Sequence, residues 1–238
     1  MRYLVFQLYG PLAAWGEPAV GEARHSATHP GRSALLGLLA AALGLRRDDQ
    51  SAQMQLAESV RFGVKTLAMG TALKDYHTTQ VPPQERKISH YYTRKDELGS
   101  SKLGTILSSR EYRQDGLWLA AAWPAGAESG FGLEQLAEKL AKPMFQLYLG
   151  RKSCPLALPL NPRLIEAESL RGAFAEYILP AELAKIARSR TLHYHWESCD
   201  HSGFPSSSPH APRHDDPISR GRWQFAERSE YFALEETA

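Results

Sequence analysis

The stretch YLGRKSCP, Tyr148 to Pro155, contains residue types that could support nucleophilic catalysis. Cys154 follows two cations, Arg151 and Lys152, and neighbouring positive charge lowers the pKa of a thiol and activates it. Against this, Pro155 comes directly after the cysteine, and the pattern predicts no helix start that would stabilise a thiolate. We therefore expect Cys154 to be a small buried side chain rather than a nucleophile.

The same stretch could instead form a basic turn that holds an anion, and we favour this interpretation. Gly150 allows the chain to bend after an extended segment, and Pro155 fixes the exit of the turn. Arg151 can make forked hydrogen bonds to a phosphate, while Lys152 adds a point charge and Ser153 a hydroxyl group. The alternative for Arg151 is an ion pair with a carboxylate of the protein itself.

The stretch HYHWESCDH offers possible metal ligands: His193, His195, Cys199, Asp200 and His201. A His-x-His spacing puts both rings on one face of a strand, where zinc could bind. However, the stretch lacks a C-x-x-C or H-E-x-x-H signature, and proline-rich loops follow it. We expect no metal and no other cofactor.

Metal-free RNA cleavage would need a base, an acid and a cation around one phosphate. The candidate acid and base groups are His25, His29, His77, His90 and Tyr76. Their spacing singles out none of them, so catalysis stays an alternative to binding.

Rings and cations alternate in KDYHTTQVPPQERKISHYYTRKD, which is typical of surfaces that bind single-stranded RNA. Rings can stack on bases, and cations can contact phosphates. The predicted RNA-binding residues here are Tyr76, His77, Arg86, Lys87, Tyr92 and Arg94.

Net charge is only +2, but cations concentrate locally: residues 24–47 hold four arginines and no acidic residue. Such basic stretches in a nearly neutral chain favour a polyanion as partner. This indicates Arg24, Arg32, Ser33 and Arg46 as further contacts, with Arg32 and Ser33 at a helix start that favours anions. The preceding loop adds Trp15 and Gly16, where Trp15 could stack on a base or simply pack in the core.

The apolar pattern predicts the elements that position these residues. Strands are predicted at residues 2–9, 60–69, 117–123 and 144–150, with helices at 33–44 (Ser33 as N-cap and Gly44 at the exit) and 132–143. Asp115 and Gly116 are expected to form a hairpin turn between SREYRQ and LWLAAAW. The order strand, helix, strand, polar insertion, strand, helix, strand is that of an α+β, ferredoxin-like fold with a long insertion.

With 238 residues and 43% hydrophobic residues, the chain can bury a substantial core. It has no apolar run of about 18 residues and no recognisable signal peptide, so we expect no membrane span and no secretion. Two cysteines give no disulfide framework, which favours the cytoplasm. Because the character changes to proline-rich loops and short strands, we expect domains at 1–155 and 156–238.

Five motifs in order resemble the CasD family of type I-E CRISPR systems: GPLAAWGE, HPGRSALLGLLAAALGLRRDD, LKDYHTT, SREY and YLGRKSCPL. The resemblance covers residues 1 to about 160 and returns weakly at RHDDPI and WQFAERSEYF. Residues 85–109 and 160–212 match the family poorly. The matched motifs contain Trp15, Arg32, Ser33, Tyr76, His77, Arg110, Tyr148, Arg151, Lys152 and Ser153.

The resemblance implies a RAMP protein, with a ferredoxin-like (RRM-like) domain, an inserted β-hairpin thumb at about residues 78–110 and a small, mostly β C-terminal domain. It implies a non-catalytic subunit of the Cascade surveillance complex that binds the 5′ handle of the CRISPR RNA and serves antiviral defence. The thumb would contact the backbone filament subunit, and another face of the chain would contact the large subunit. The chain would act on target DNA only indirectly. The alternative is an endoribonuclease that processes repeat RNA, as in type I-C systems, or a scaffold that touches protein alone.

Overall fold

The computed structural model of the chain describes residues 1–82, 91–99, 102–126, 130–187, 189–198 and 200–237. The elements in chain order are β1 (Arg2–Tyr9), β2 (Leu12–Ala13), β3 (Ala23–Arg24), α1 (Arg32–Leu43), α2 (Gln50–Ser59), β4 (Val60–Ala68), β5 (Thr71–Val81), α3 (Arg94–Leu98), β6 (Gly104–Gln114), β7 (Leu117–Pro124), α4 (Leu133–Ala141), β8 (Arg163–Glu166), α5 (Leu170–Glu176), α6 (Ala181–Ala184), β9 (Thr191–Trp196), β10 (His210–Ser219) and β11 (Gln224–Glu236). Helices and strands therefore both contribute, and strands dominate, as the α+β prediction expects. Within the described part of the chain, none of the helices has the length and apolar character needed to cross a membrane.

An antiparallel sheet of seven strands forms the centre of the molecule, in the order β10-β11-β9-β4-β7-β1-β8. β1 lies inside it and sends alternate side chains to opposite faces. Leu4 and Phe6 pack with α1 and α4 on one face, while Tyr3 and Val5 pack with α5 and α6 on the other. This explains why both alternating sets of β1 are bulky.

A second sheet carries the polar part of the chain. β5 and β6 pair along their whole length as a long hairpin, from Thr71 opposite Gln114 to Val81 opposite Gly104, and β2 and β3 pair with β6. The predicted hairpin between residues 109 and 123 is therefore wrong. Asp115 and Gly116 do form a turn, but it passes the chain from this sheet into β7, which pairs with β1 and β4. β7 is buried on both faces, so it pairs in the interior of the central sheet, between β1 and β4, rather than with β6.

Two local predictions need correction, and one is confirmed. Helix α1 begins at Arg32 rather than after a Ser33 cap, and Gly31 is its N-cap residue. Its exit at Gly44 is as predicted, with a left-handed φ of 80°. Residues 144–150 form no strand; this segment contributes one isolated bridge, from Tyr148 to Pro155.

Strands from the C-terminal part of the chain extend the central sheet rather than forming a sheet of their own. β9 pairs with β4, with Gly63 opposite Trp196, and β11 and β10 follow outward from β9. This continuity places the turn between β10 and β11 next to α1 and α2, where Gln50 donates to the carbonyl oxygen of Ile218. The division into domains at residue 155 stays a prediction.

Candidate nucleic-acid interface

The segment from Tyr148 to Pro155 is a closed turn docked on the chain that follows β1. The backbone N–H of Leu149 donates to the carbonyl of Cys154 at 2.8 Å, and the N–H of Ala14 donates to the carbonyl of Leu149 at 3.0 Å. Gly150, which follows Leu149 in this turn, has a left-handed φ of 83°. The turn predicted from the sequence is present, and it exposes Lys152 and Ser153 to solvent.

Cys154 points into the core from this turn and is 0% exposed. Burial raises the pKa of its thiol, although Ser153 and Arg151 act in the opposite direction. A nucleophilic cysteine needs an accessible thiolate, so the burial of Cys154 and its raised pKa both argue against a nucleophilic role.

Gly150→Ala is expected to lower the free energy of unfolding by about 1–3 kcal/mol, because a left-handed backbone is strained for any residue with a Cβ. An added Cβ would also lie 1.8 Å from the carbonyl oxygen of Ala14, so the turn would have to move away from the segment that follows β1. Urea unfolding measures this change. Gly16→Ala is the matched control, since an added Cβ there meets nothing within 4 Å; equal losses for both variants would contradict the prediction.

Arg151 is held by a ring rather than by a carboxylate. Its guanidinium lies 5.0 Å from the centre of the Tyr112 ring, which belongs to β6. Its Nη1 is buried and has no hydrogen-bond partner, and no ion pair involves Arg151 among the residues the structure describes. A buried donor without an acceptor is costly, so Arg151 retains hydrogen-bonding capacity that no described residue uses at this atom.

A cavity of about 950 Å³ lies beside this turn. Its floor is the side of α1 around Gly37 and Ala41. Its walls are the loop after β2, residues 145–148 with Gly150 and Lys152, and the turn between β10 and β11. Six predicted RNA-binding residues line it: Trp15, Gly16, Ser33, Arg46, Tyr148 and Lys152. We call this space the α1 cavity.

Positive charge dominates the lining of the α1 cavity. Arg46, Arg47, Lys152 and Arg220 line it, and the one acid among its described lining residues, Asp48, pairs with Arg46 at 3.3 Å. Burial, together with the charge of Arg47, lowers the pKa of Arg220. Cations that repel one another around an open space are favourable for an anion.

Sequence reasoning missed Arg220 and Trp223, which the turn between β10 and β11 brings to the α1 cavity. Arg220 donates to the carbonyl oxygen of Ser33, and Arg47 lies over the Trp223 ring with its guanidinium carbon 5.3 Å from the ring centre. The available signal was SRGRW, two arginines and a tryptophan around a glycine between alternating segments. Its partners lie far away in sequence, so the pattern alone could not place it.

Arg32 does not face the α1 cavity, and its predicted role as a phosphate contact needs correction. The side chain is 9% exposed; Nη1 donates to Glu197 at 2.6 Å, and Nε donates to Asp216 at 2.7 Å. The helix N-terminus is occupied too, since the backbone N–H of Arg32 donates to Asp215 Oδ2 at 2.7 Å. The anion at the start of α1 is thus a carboxylate of the protein.

Trp15 packs mainly in the core, the second of the two roles considered for it. It is 2% exposed, and its ring meets Trp118 edge-on at 5.2 Å between centres. Only a small part of Trp15 can therefore contact a ligand in the α1 cavity.

The remaining predicted residues lie on and beside the long hairpin. Pairing places Arg24 beside Arg110 and Arg110 opposite Asp75, so all three share the face that carries His77 and Tyr112. Tyr76 lies on the opposite face, because neighbouring residues of a strand alternate.

Near the end of the hairpin, Tyr92 is 93% exposed. Arg94 contacts Glu97 and the carbonyl oxygen of Gln80. Arg86 and Lys87 lie outside the described residues.

The stretch HYHWESCDH offers metal ligands in sequence, although we expect no metal, and its His195 lies in a cluster with residues from elsewhere in the chain. His195 stacks on His29 with ring centres 3.6 Å apart, and His29 Nε2 lies 2.9 Å from Glu230 and 2.6 Å from an Arg213 nitrogen. His29, His195 and Glu230 have the types of metal ligands, but a guanidinium already contacts two of them. The arrangement is a buried ionic cluster, and the positive charge of Arg213 within it disfavours a bound metal ion. Cys199 lies outside the described residues.

Comparison with known proteins agrees with the resemblance seen in the motifs. The chain belongs to the Cas5 family: the family model described as "CRISPR-associated protein (Cas_Cas5)" matches residues 3–231. It is 35% identical to the CRISPR system Cascade subunit CasD of Escherichia coli (strain K12) over 183 residues, 74% of this chain and 76% of that protein. The predicted membership is confirmed.

Two solved structures share the fold. A chain of a "CRISPR RNA-guided surveillance complex" aligns with a TM-score of 0.68 and 25% identity, covering 99% of this chain and 90% of that one. A "Crystal structure of Cas protein" aligns with a TM-score of 0.58 and 23% identity, covering 98% and 94%. The second supports the fold alone.

Proposed function

We propose that this chain is the RNA-binding subunit of a Cascade-type CRISPR surveillance complex and that it holds the 5′ handle of the CRISPR RNA without cutting it. The observation that carries the proposal is the α1 cavity, in which Arg47, Arg220 and Lys152 form no ion pair within the described part of the chain. The relationship to a Cascade subunit supports the same conclusion.

Two surfaces would share the RNA. The α1 cavity is one, and the other is the hairpin face with Arg24 and Arg110. Arg151 stands between them, since Tyr112, on which it lies, belongs to that hairpin face. Cations on these two surfaces would contact successive phosphates of a bent single strand, and the nearby rings could stack on its bases.

The ferredoxin-like assignment and the thumb belong to this proposal. The strand order β8-β1-β7-β4, all antiparallel with α1 and α4 on one face, is the arrangement expected of a split βαβ plan. The long hairpin of β5 and β6 would be the thumb, beginning at Thr71, earlier than the predicted residue 78. Its exposed end would contact the backbone filament subunit, and the large subunit would bind elsewhere on the chain.

The described acid and base candidates do not converge on one phosphate. His29 is buried in the ionic cluster, and His25 and His77 pair with Glu111 and Asp75, which lie on opposite faces of the long hairpin. Purified protein is therefore expected to leave a labelled repeat RNA intact without metal. Products ending in 2′,3′-cyclic phosphate would favour the endoribonuclease alternative.

Lys152→Ala and Arg151→Ala are each expected to weaken binding of the single-stranded handle RNA by about three- to tenfold at low salt, because each removes a phosphate contact. Each should also lower the slope of log K against log salt by about 0.7, the value for one phosphate on a single strand. Filter binding across a salt series measures both quantities.

Lys185→Ala is the matched control for these variants. Lys185 is exposed and follows α6, which packs on the face of the central sheet opposite α1. If all three variants bind with the same affinity and slope as the parent chain, the proposed site is wrong.

A further inference from the structure

We propose that the α1 cavity holds a single unstacked nucleotide, with its base against Trp223 and its phosphate between Arg47 and Arg220. This rests on the proposed function and adds to it a specific unit of the RNA and a wall supplied by the C-terminal part of the chain. The tip of the β10–β11 turn, residues 220–223, becomes a recognition element.

Trp223 is exposed in a way that packing does not explain. Its side chain is 59% exposed, at the rim of the cavity, and its backbone is left-handed with φ 53°. A bulky residue in that conformation is strained, and such strain concentrates at functional sites. Phe225 lies 5.9 Å away between ring centres and nearly parallel, at 26°, so it stacks against the Trp223 ring.

The turn that carries Trp223 is fixed to the helices. Gln50 Nε2 donates to the carbonyl oxygen of Ile218 at 2.7 Å, Ser219 Oγ donates to Gln50 Oε1 at 3.3 Å, and Arg220 donates to the carbonyl of Ser33. A ring held in place loses little entropy when a base stacks on it.

The cavity has room for a nucleotide and a floor that lets one approach. Its volume of about 950 Å³ is at the upper end for small-molecule sites. The floor contains Ala34, Gly37 and Ala41, which are small, and an added Cβ at Gly37 would meet only Arg220 Nη2, at 3.7 Å. A flat base can therefore lie close to the backbone of α1.

The charges fix which part of the nucleotide lies where. Arg47 lies over the Trp223 ring, and burial, followed by the charge of Arg47, disfavours the protonated form of Arg220. A phosphodiester between the two guanidinium groups would relieve their repulsion and accept forked hydrogen bonds from both. Lys152, on another wall, would meet the next phosphate along the strand.

The test combines an abasic scan of the handle RNA with variants of the full-length chain. In the parent chain, removing one particular base is expected to weaken binding about five- to hundredfold, the range for one base stacked on an aromatic ring. In Trp223→Ala the same removal should have no further effect, because the partner of that base is gone. Trp223→Phe should retain most of the effect, and Ile178→Ala, exposed just after α5, should leave it unchanged.

Gly37→Leu provides a second test from the floor of the cavity, where the added side chain would also meet Arg220 of the turn. It replaces glycine in a helix with a strong helix former, so folding is expected to survive, while the side chain would fill the floor of the cavity. It should weaken RNA binding and abolish the fluorescence quenching of 2-aminopurine placed at the sensitive position.

The outcomes separate this proposal from the function on which it rests. If no base position couples to Trp223 while Lys152→Ala still lowers affinity and salt slope, the single-nucleotide pocket is wrong and the RNA-binding function stands. If a free mononucleotide binds as tightly as the strand, the cavity is a small-molecule site and the pocket proposal is overturned. If the chain binds no RNA at all, both are.

Discussion

Arg32→Met is expected to lower the free energy of unfolding by about 3–5 kcal/mol, the loss typical of breaking one side of a buried ion pair. Arg32 is buried and donates to Glu197 and Asp216, as well as to the carbonyl oxygens of Ala57 and Val60. Removing it leaves Glu197 and the carbonyl oxygens of Ala57 and Val60 without their donor in a region that water barely reaches. Urea unfolding should show a lower midpoint with an unchanged slope.

A double variant distinguishes this ion-pair role from simple loss of packing. Arg32→Met with Glu197→Leu removes both charges, and replacing a whole buried pair by apolar residues is often neutral, so most of the stability should return. Arg61→Ala, at an exposed position on β4, is the matched control and should change stability by less than about 0.5 kcal/mol. If the double variant is less stable than Arg32→Met alone, the ion pair is not the cause.

The same residue shows where sequence reasoning stopped. In HPGRS, Arg32 has the features of a phosphate contact: a glycine before it, a serine after it and a helix start. Its actual partners, Glu197 and Asp216, lie 165 and 184 residues further along the chain. Nothing local to Arg32 indicates that those carboxylates reach it, because only the pairing of β9 with β4, and of β11 and β10 outward from β9, brings them there.

Elements with a strong local signal were predictable. β1, β4, β7, α1 and α4 follow from apolar periodicity and from glycine or proline at their ends. The partner of β6 did not follow, because the Asp-Gly turn after it indicates a turn without indicating which strand pairs across it. The strand predicted at residues 144–150 failed because its apolar residues serve the docked turn and the cavity rather than a ladder.

The candidate site divides in the same way. The turn around Gly150 was predictable, because glycine, two cations and proline lie within eight consecutive residues. Trp223 and Arg220 were not, because their significance depends on the packing of the β10–β11 turn against α1. Long-range ionic contacts fix that packing, and their response to pH can be measured.

Acid should destabilise the protein through His195, which lies in the ionic cluster between the start of α1 and the C-terminal strands. Burial and the neighbouring charge of His29 lower the pKa of His195 to about 3. Arg213 and His193 act in the same direction, whereas Glu230 opposes them. In the unfolded chain this ring has a pKa of about 6.5, so below that pH the unfolded state binds a proton that the folded state refuses.

Stability is unaffected by His195 above about pH 6.5 and falls by about 1.4 kcal/mol per pH unit below it, until the folded ring itself protonates near pH 3. Burial raises the pKa of Glu197 to about 7, so its carboxyl is protonated more readily in the folded state. Between its ordinary pKa and about 7, Glu197 therefore makes the protein more stable as the pH falls, opposite to His195. A comparison of two proteins that both keep Glu197 removes its contribution.

His195→Phe supplies that comparison. Phenylalanine keeps a flat ring against His29, cannot titrate, and forfeits no hydrogen bond at Nδ1, which is buried without a partner. Relative to its stability at pH 7.5, the variant should lose about 2–3 kcal/mol less than the parent chain by pH 4.5. His29, whose pKa is also lowered by burial, remains in both proteins and keeps part of the acid sensitivity.

Urea unfolding at half-unit pH intervals measures the difference, and Ile178→Ala, at an exposed position with no titrating group, should follow the parent curve at every pH. Curves for His195→Phe and the parent that stay parallel from pH 7.5 to 4.5 would mean that His195 titrates normally in the folded chain. The cluster would then be open to water. Since Arg213 and Glu230 belong to β10 and β11, an open cluster would also loosen the strands that hold Trp223 at the α1 cavity. RNA binding and acid stability should therefore decline together if this cluster is weakened by mutation.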